Sequence, residues 1–323
     1  MAEEQIFAWG TSRRFNDYSS FIKNKFGGRV QKISVNVGLS CPNRDGTKGT
    51  GGCIYCDNTA FTPAYCNAAD NITEQLRKGR EFFSRKYPDM RYIAYFQSYT
   101  NTYAPVETLE ALYREAVSNG IAGLIIGTRP DCINTELLDM LERINQIVPV
   151  AVELGMESTS DRTLELINRH HTWADSVKAS EMCASHGLQT GAHLILGLPG
   201  ETAADYLEHA RRVSALPLKT LKLHQLQIIS GTQLAAICQK NPDFVSPFTL
   251  NDYISTVVSF LEHLSPDIVV ERFVSVSPAE KVIAPRWNRM KNFEVVALID
   301  KELEQRDTWQ GRFFEGHSPI ASA

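Results

Sequence analysis

The sequence predicts an α/β protein built on a partial (β/α)6 barrel of the TIM type, followed by a small C-terminal α/β extension. Short apolar runs rich in β-forming residues alternate with amphipathic helical stretches, which is typical of a parallel sheet. Most of these runs are apolar on both faces, as expected for strands that are covered on both sides. Six right-handed β/α units curl toward a barrel but are two short of the eight that close one. A flat, doubly wound sheet is the alternative, with the same elements in a different strand order.

The six predicted strands begin at residue 30 and recur along the first 230 residues. They are VQKISVNV (30–37), RYIAYFQ (91–97), AGLIIG (122–127), PVAVELG (149–155), TGAHLILG (190–197) and LKLHQLQII (221–229).

Helix starts and apolar helix faces lie between these strands. Three starts carry an oxygen-bearing cap followed three residues later by an acid in the first turn: Asn71 with Glu74, Thr172 with Asp175, and Thr202 with Asp205. Two helices show apolar residues at helical spacing, formed by Leu109, Leu112 and Ala116 and by Leu137, Leu141 and Ile144. Each helix can therefore bury one side against the sheet.

The chain divides into three predicted parts. Residues 1–29 form an aromatic and basic lead-in without strong periodicity, and residues 30–235 form the barrel core. Residues 236–323 form the extension, in which the sequence predicts a helix over 250–263, a strand within IVVERFVSV, and a helix over 292–305.

Composition narrows the class of protein. With 323 residues and 43% hydrophobic content, the chain can bury a sizeable core. We found neither an apolar run long enough to span a membrane nor the basic-then-apolar start of a signal peptide, so we expect no membrane association and a cytoplasmic location. Residues 1–91 carry 14 Lys and Arg against 9 Asp and Glu, whereas the remainder carries 19 against 28. This asymmetry is compatible with an anionic partner at one face and also with an ordinary solvated surface.

Three of the seven cysteines lie in one glycine-rich stretch, CPNRDGTKGTGGCIYC, with the spacing C-x11-C-x2-C just after the first strand. The other four are scattered (Cys66, Cys132, Cys183 and Cys238), which argues against a disulfide framework. The ends of parallel barrel strands meet at the active-site mouth, so this position favours a functional site. The sequence therefore predicts that Cys41, Cys53 and Cys56 bind a metal centre.

Several metal centres and redox sites are compatible with a cysteine pair. Structural zinc needs four ligands, and the nearest fourth cysteine is Cys66. A thioredoxin-type redox pair leaves Cys41 without a role, and a four-cysteine electron-transfer cluster requires Cys66 at a spacing wider than that of ferredoxins. Three thiolates on a four-iron cluster leave one iron without a protein ligand, which is the open position that chemistry requires. The sequence favours this last interpretation.

The cysteine loop, GMES at the fourth strand and LGLPGET after the fifth resemble the radical S-adenosylmethionine (SAM) superfamily over about residues 30–235. YFQSYTNTY and the TRPD stretch further resemble the branch containing the catalytic subunit of Elongator and the oxygen-independent coproporphyrinogen oxidases. Two features depart from the family pattern. The superfamily usually has C-x3-C-x2-C, and this branch often has a glutamate where this chain has Gly127.

The resemblance implies an enzyme with two cofactors, a [4Fe-4S] cluster held by the three cysteines and SAM bound to the open iron. One electron from a reducing partner such as flavodoxin or ferredoxin then cleaves SAM, and the resulting 5′-deoxyadenosyl radical takes a hydrogen atom from the substrate. Carried over to this chain, the resemblance implies SAM contacts from Tyr55, Gln97, Ser98, Glu157, Arg169 and the backbone of Leu196, Gly197 and Leu198. Among these, Arg169 is implied to bind the SAM carboxylate and Glu157 the ribose hydroxyls.

The substrate is open at this stage. RNA, in particular tRNA, is favoured by the Elongator resemblance and the basic first third, while a small metabolite fits equally well. His193 and His224 lie within predicted strands and could face the barrel lumen or serve as buried core histidines. Candidate substrate contacts follow the second strand at Tyr99, Asn101 and Tyr103. The competing function is a binding protein in which iron–sulfur or zinc has a structural or electron-transfer role without SAM chemistry.

Overall fold

The computed structural model of this chain describes residues 5–57, 62–63, 65–85, 89–287 and 290–316. Within them the strands are β1 (Val30–Val35), β2 (Arg91–Phe96), β3 (Gly123–Thr128), β4 (Val150–Glu157), β5 (Gln189–Leu196), β6 (Thr220–Gln225), β7 (Ile228–Ile229), β8 (Val269–Arg272) and β9 (Val282–Ala284). The α-helices are α1 (Tyr18–Phe26), α2 (Ile72–Ser84), α3 (Val106–Ser118), α4 (Thr135–Asn145), α5 (Asp161–Leu166), α6 (Trp173–Ser185), α7 (Ala203–Ser214), α8 (Gln233–Lys240), α9 (Leu250–His263) and α10 (Asn292–Gln305). Among these helices, none combines the length and the hydropathy that a membrane crossing needs.

The main sheet has seven strands in the order β1-β2-β3-β4-β5-β6-β8, and every neighbouring pair is parallel. Sequential order confirms the predicted partial barrel and excludes the doubly wound alternative, which requires a reversal of strand order. The seventh strand, β8, comes from the predicted C-terminal extension and continues the sheet beyond β6. The boundary near residue 235 stays a proposal.

The sheet curls until its first and last strands approach each other. Lys32 on β1 and Glu271 on β8 form an ion pair with 2.6 Å between Nζ and Oε2. The residue before α1, Asp17, also forms a bridge with Val270 of β8. The barrel is therefore open along one side but narrow enough for side chains to meet across the lumen.

The predicted sixth strand is wrong in its second half. Strand β6 ends at Gln225, and the following pair, β7, runs antiparallel to β9 in a separate two-stranded sheet. The apolar run looks continuous in sequence, but Ile228 packs in a second apolar cluster with Leu198 and Leu234. Tertiary packing thus redirects a segment that periodicity alone assigns to one strand.

Alternate residues of each strand have different environments. Even-numbered residues of β4 and β5, such as Val152 and Leu194, are buried against the helices in the main apolar core. Odd-numbered residues face the lumen, where Glu153 and His193 line a cavity. The side-chain period of two in a strand therefore separates the core from the candidate site.

The predicted helix starts are confirmed where the structure shows their caps. Asn71 accepts from the backbone N–H of Glu74, and Thr172 forms a capping box with Asp175. The predicted helices over 250–263 and 292–305 agree with α9 and α10.

Helix α1 lies in the lead-in, where the sequence analysis predicted no element. It begins at the cap Asp17 and ends at Gly27, whose φ of 66° suits glycine. Ile22 and Phe26 of this helix pack with Ile93 and Ile125 from the lumen side of β2 and β3. Helix α1 therefore packs against the lower end of the barrel, opposite the end that carries the cysteine loop.

Candidate active site

A cavity of about 240 Å³ lies inside the barrel, on the side of the lumen that carries the cysteine loop. Its wall combines the loop after β1 with lumen-facing positions of β2 to β6 and the end of β8. It includes seven of the residues that the sequence analysis assigned to a metal or to SAM: Cys41, Cys53, Cys56, Tyr55, Gln97, Glu157 and Arg169. Residues separated by more than 120 positions in sequence thus share one concave surface.

The cysteine loop, residues 41–56, folds back on itself through its own backbone. The N–H of Arg44 donates to the carbonyl of Cys41 at 2.8 Å, and the N–H of Cys56 donates to that of Cys53 at 3.0 Å. Gly52 has a φ of 81°, which glycine adopts without strain. A methyl group there would also meet the guanidinium of Arg44 at 2.9 Å. Glycine at this position therefore permits the loop to fold tightly back on itself.

Positive and amide groups surround the cysteine sulfurs. The Asn43 amide lies 3.5 Å and the Arg169 guanidinium 3.6 Å from Sγ of Cys53, and Arg44 lies 3.9 Å from Sγ of Cys56. Burial, and after it the neighbouring Cys53, raises the pKa of Cys56 to about 11. Thiolates in this loop consequently need further positive charge, which a bound metal supplies.

Arg169 lies between the cysteine loop and the end of β4. Its Nη2 donates to the carbonyl of Gly155 at 2.6 Å and lies 3.4 Å from Oε1 of Glu157. Its Nε donates to Nε2 of His171 at 3.0 Å. Burial and the positive charge of Arg169 lower the pKa of His171 to about 3, which keeps this imidazole neutral and able to accept. The guanidinium is thus fixed from several sides.

Two backbone features make room for the Arg169–Glu157 pair. Glu157 has a φ of 67° at the end of β4, an uncommon conformation for a residue with a side chain. At Gly155, a methyl group would stand 2.7 Å from Oε1 of Glu157 and 2.8 Å from Nη2 of Arg169. The pair therefore occupies the space that a side chain at position 155 would take.

Arg129, directly after β3, is a cavity residue that the sequence analysis did not single out. It is 2% exposed, and its Nε and Nη2 bind Asp131 at 2.9 and 3.0 Å. Its Nη2 also donates to the carbonyl of Arg169 at 2.8 Å. Among the described residues, no partner accepts from Nη1. A buried, unused donor at the cavity wall is suited to an anionic ligand group. The available signal was a charged residue immediately after an apolar strand.

Four of the residues predicted to contact SAM do not line this cavity. Ser98 is buried beside Gln97. Leu196 lies on the helix side of β5 in the main core, Leu198 packs in the second apolar cluster, and Gly197 between them has a φ of 91°. Their assignment to SAM stays a prediction.

The candidate substrate contacts after β2 divide into two groups. Tyr99 lines the cavity. Asn101 is fully buried, and its side-chain amide donates to the carbonyls of Phe96 and Gly127. Tyr103 hydrogen-bonds Thr47 of the cysteine loop at 2.7 Å. The last two residues therefore support the loop and the strand ends from outside the cavity.

A charged layer, which we define as Lys32, Glu153, Lys222 and Glu271, crosses the lumen below the cysteine loop. Glu153 binds Lys222 at 2.6 Å and Lys32 at 3.1 Å, and Glu271 binds the same lysines at 3.2 and 2.6 Å. Burial opposes ionisation of Glu153, but Lys222 and Lys32 hold its pKa well below the ordinary value. The sequence analysis missed this layer because its members lie on four different strands.

Both histidines that the sequence analysis left between lumen and core line the cavity. Nε2 of His193 lies 3.0 Å from Glu153, and Nδ1 of His224 lies 3.0 Å from the hydroxyl of Ser275. Their ring centroids are 5.5 Å apart.

Comparisons with known proteins agree with this architecture. The family model described as the Radical SAM superfamily matches residues 37–213, and the Radical SAM C-terminal domain matches residues 218–305. The chain is 34% identical over 307 residues to the uncharacterized protein YtqA of Bacillus subtilis, covering 94% of each. It is 25% identical over 197 residues to a tRNA uridine(34) acetyltransferase of Methanocaldococcus infernus, covering 59% of this chain and 35% of that protein.

The structure is similar to that of the archaeal Methanocaldococcus infernus Elp3 lacking residues 1–46. The TM-score is 0.66 at 16% identity, covering 87% of this chain and 64% of the other. At this identity, the likeness shows the fold.

Proposed function

The chain belongs to the radical SAM superfamily and is a radical SAM enzyme, and from this premise we propose that Cys41, Cys53 and Cys56 bind a [4Fe-4S] cluster and that the cavity around them binds SAM. When bound and reduced by one electron, these cofactors supply a 5′-deoxyadenosyl radical that takes a hydrogen atom from the substrate. The observation that carries the proposal is that three thiols of one loop line the same cavity as the Arg169–Glu157 pair and Arg129, whose Nη1 has no acceptor in the described part of the chain.

The residues present fit both groups. Three buried or half-buried thiols are the soft ligands that iron–sulfur centres use. The guanidinium groups of Arg44 and Arg169 and the amide of Asn43 lie against the sulfurs, where hydrogen bonds offset negative charge. The donor set therefore favours a charged cluster over neutral packing.

The proposed roles around SAM follow from charge and position. Arg129, through its unused Nη1, and Arg169 donate to the carboxylate of SAM. Glu157 accepts from ribose hydroxyls, and the side-chain amide of Gln97, which also binds Ser34 at 3.3 Å, contacts the amino group. Tyr55 packs beside the adenine. These contacts orient SAM and exclude water from the cavity.

The remaining assigned residues have backbone and supporting roles in the proposal. Leu196 ends β5, Gly197 and Leu198 follow it, and this stretch of backbone comes directly after Ile195, which lines the cavity. Ser98 follows Gln97 at the end of β2. Each of these positions lies close to the wall without forming it.

The cofactor proposal is tested by anaerobic reconstitution with iron and sulfide, followed by dithionite and SAM. We expect the wild-type protein to bind iron and sulfide and to release 5′-deoxyadenosine. Cys41→Ser, Cys53→Ser and Cys56→Ser should each lower this release to background, because each removes one ligand of the cluster. Cys183→Ser is the matched control, since this cysteine is buried in the main core on α6.

Two results would contradict the proposal. A colourless protein that retains only zinc supports the structural metal site instead. A protein that binds iron and sulfide but neither binds nor cleaves SAM supports an electron-transfer role.

For the substrate we propose RNA, and tRNA in particular, with a flavodoxin or ferredoxin as the reducing partner. The similarity to a tRNA uridine(34) acetyltransferase supports the RNA assignment. A net charge of −4 gives no strong electrostatic attraction to RNA, so recognition must depend on local groups. Nucleoside mass spectrometry of tRNA from a deletion strain and its parent tests this. A missing modified nucleoside supports RNA, and an unchanged profile favours a small metabolite.

A further inference from the structure

The part of the cavity wall formed by β5, β6 and β8 carries a group of cationic and imidazole side chains that the proposed cofactor contacts do not use. His193 on β5, His224 and Lys222 on β6, and Arg272 at the end of β8 all line it. His193 and Lys222 converge on one carboxylate oxygen, Oε2 of Glu153, at 3.0 and 2.6 Å. The imidazole and ammonium groups are therefore held close together on one side of the lumen.

The acids nearby are already engaged. Glu153 and Glu271 together balance Lys32 and Lys222 in the charged layer, with four ion-pair distances between 2.6 and 3.2 Å. Arg272 is exposed at the open side of the barrel. Within the described part of the chain it makes no ion pair, so its charge is in excess over the layer.

The surroundings of His224 are also unfavourable for a further positive charge. The pKa of His224 is well below its ordinary value, mainly because the ring is buried and also because His193 and Arg272 lie nearby. Its Nδ1 is held by Ser275, which leaves Nε2 as the second hydrogen-bonding atom. An anion placed among these groups would offset the repulsion between them and accept hydrogen bonds from more than one side.

We propose that His193, His224 and Arg272 form a phosphate-binding subsite that holds a phosphate group of the substrate. Three groups on three separate strands suit a group with three outer oxygens better than a planar carboxylate with two. They are the Arg272 guanidinium, Nε2–H of His224, and Nδ1–H of His193 as an imidazolium, since Nε2 of His193 already donates to Glu153. The inference rests on the proposed function, because that function assigns the part of the same cavity beside the cysteine loop to SAM.

A second cavity of about 430 Å³ provides room for the rest of such a substrate. It shares Gln225, Gln227 and Ser275 with the first cavity. Arg286 and Lys291 line it and add further positive charge. A phosphate in the subsite would lie near this junction, so the substrate can extend from the radical site into the second cavity.

Equilibrium dialysis of the reconstituted enzyme, with SAM saturating, tests the subsite with radiolabelled inorganic phosphate as the probe. We expect saturable binding that Arg272→Gln and His224→Gln each weaken about tenfold, since each removes one charge-assisted or buried hydrogen bond. Arg272→Lys keeps the charge and should retain most of the affinity. The matched control is Arg143→Gln, an arginine that is 57% exposed on α4.

Competition identifies the source of the phosphate. Displacement by total tRNA supports a backbone phosphate of RNA, and displacement by a nucleoside 5′-monophosphate alone supports a small phosphate ester. The subsite is contradicted if wild-type enzyme shows no saturable binding, or if Arg272→Gln and His224→Gln bind phosphate as the wild type does. Release of 5′-deoxyadenosine by the same wild-type preparation shows whether the proposed function holds independently.

Discussion

The cysteine loop and the charged layer lie in one lumen but are built in different ways. The loop places three thiols within 16 consecutive residues, stabilised by backbone hydrogen bonds and glycine conformations. The charged layer draws single residues from β1, β4, β6 and β8, and ion pairs join them across the lumen. Substitutions in the cysteine loop can therefore change its chemistry without unfolding the barrel. Substitutions in the charged layer change the lumen and also the stability of the barrel, because the layer links four strands.

The largest effect on stability is expected from Glu153→Ala, which leaves two buried lysines, Lys222 and Lys32, with Glu271 as their one remaining partner in the charged layer. Lys222 is 4% exposed and Lys32 is 17% exposed, so water cannot replace the carboxylate. We expect a loss of about 3–5 kcal/mol in the free energy of unfolding, measured by urea denaturation. The control is Glu165→Ala, at an exposed position on α5. A loss below about 1 kcal/mol would mean that the layer behaves as a surface network.

A smaller effect is expected at Asp131, which joins the cysteine loop to the barrel through Lys48 at 2.5 Å and Arg129 at 2.9 Å. Burial opposes its ionisation, but hydrogen bonds from Arg129 and Lys48 lower the pKa of Asp131 to about 2. A lowered pKa in the folded state contributes stability above the unfolded value near 4, and this contribution disappears as the pH falls to about 2.

Asp131→Asn should therefore be less stable than wild type by about 2 kcal/mol at pH 7, with the gap closing between roughly pH 4 and pH 2. Urea denaturation across this pH range measures the gap. Asp139→Asn, at a carboxylate that is 56% exposed, should show no comparable closing. If the difference in unfolding free energy between wild type and Asp131→Asn stays constant with pH, Asp131 stabilises the fold through packing and not through its charge.

The smallest effect on stability is expected at Gly155, beside the Arg169–Glu157 pair that adjoins the cysteine loop. A methyl group there meets both Glu157 and Arg169 and should displace the pair from the proposed SAM contacts. We expect Gly155→Ala to bind SAM about tenfold more weakly with little change in stability, as measured by equilibrium dialysis of the reconstituted protein. Gly28→Ala is the control, because a methyl group there meets nothing within 4 Å. If both variants bind SAM with equal affinity, the Arg169–Glu157 pair does not contact SAM.

Local chemistry explains which elements the sequence predicted well. The caps at Asn71 and Thr172 form as expected, because a cap depends on residues only three positions apart. Helix α9 has the predicted bounds for the same reason. Helix α1 was missed because only Phe26 is buried on it, so its apolar pattern is weak. The end of β6 was missed because its continuation is equally apolar and changes partner only through tertiary packing.

By itself, the sequence determined the cysteine spacing, the succession of strands and helices along the chain, and the identity of the acid at the end of β4 and of the guanidinium shortly after α5. The spacing and the succession of elements depend on neighbours along the chain, so periodicity and residue counting reveal them, whereas the acid and the guanidinium were singled out by the family resemblance of their motifs. Only the tertiary structure decided that Lys32 meets Glu271, that Nη1 of Arg129 has no partner among the described residues, and that Arg272 lies in one wall with His193 and His224. These contacts depend on how far the sheet curls, which is set by the packing of all its strands together, and no local pattern encodes that curvature.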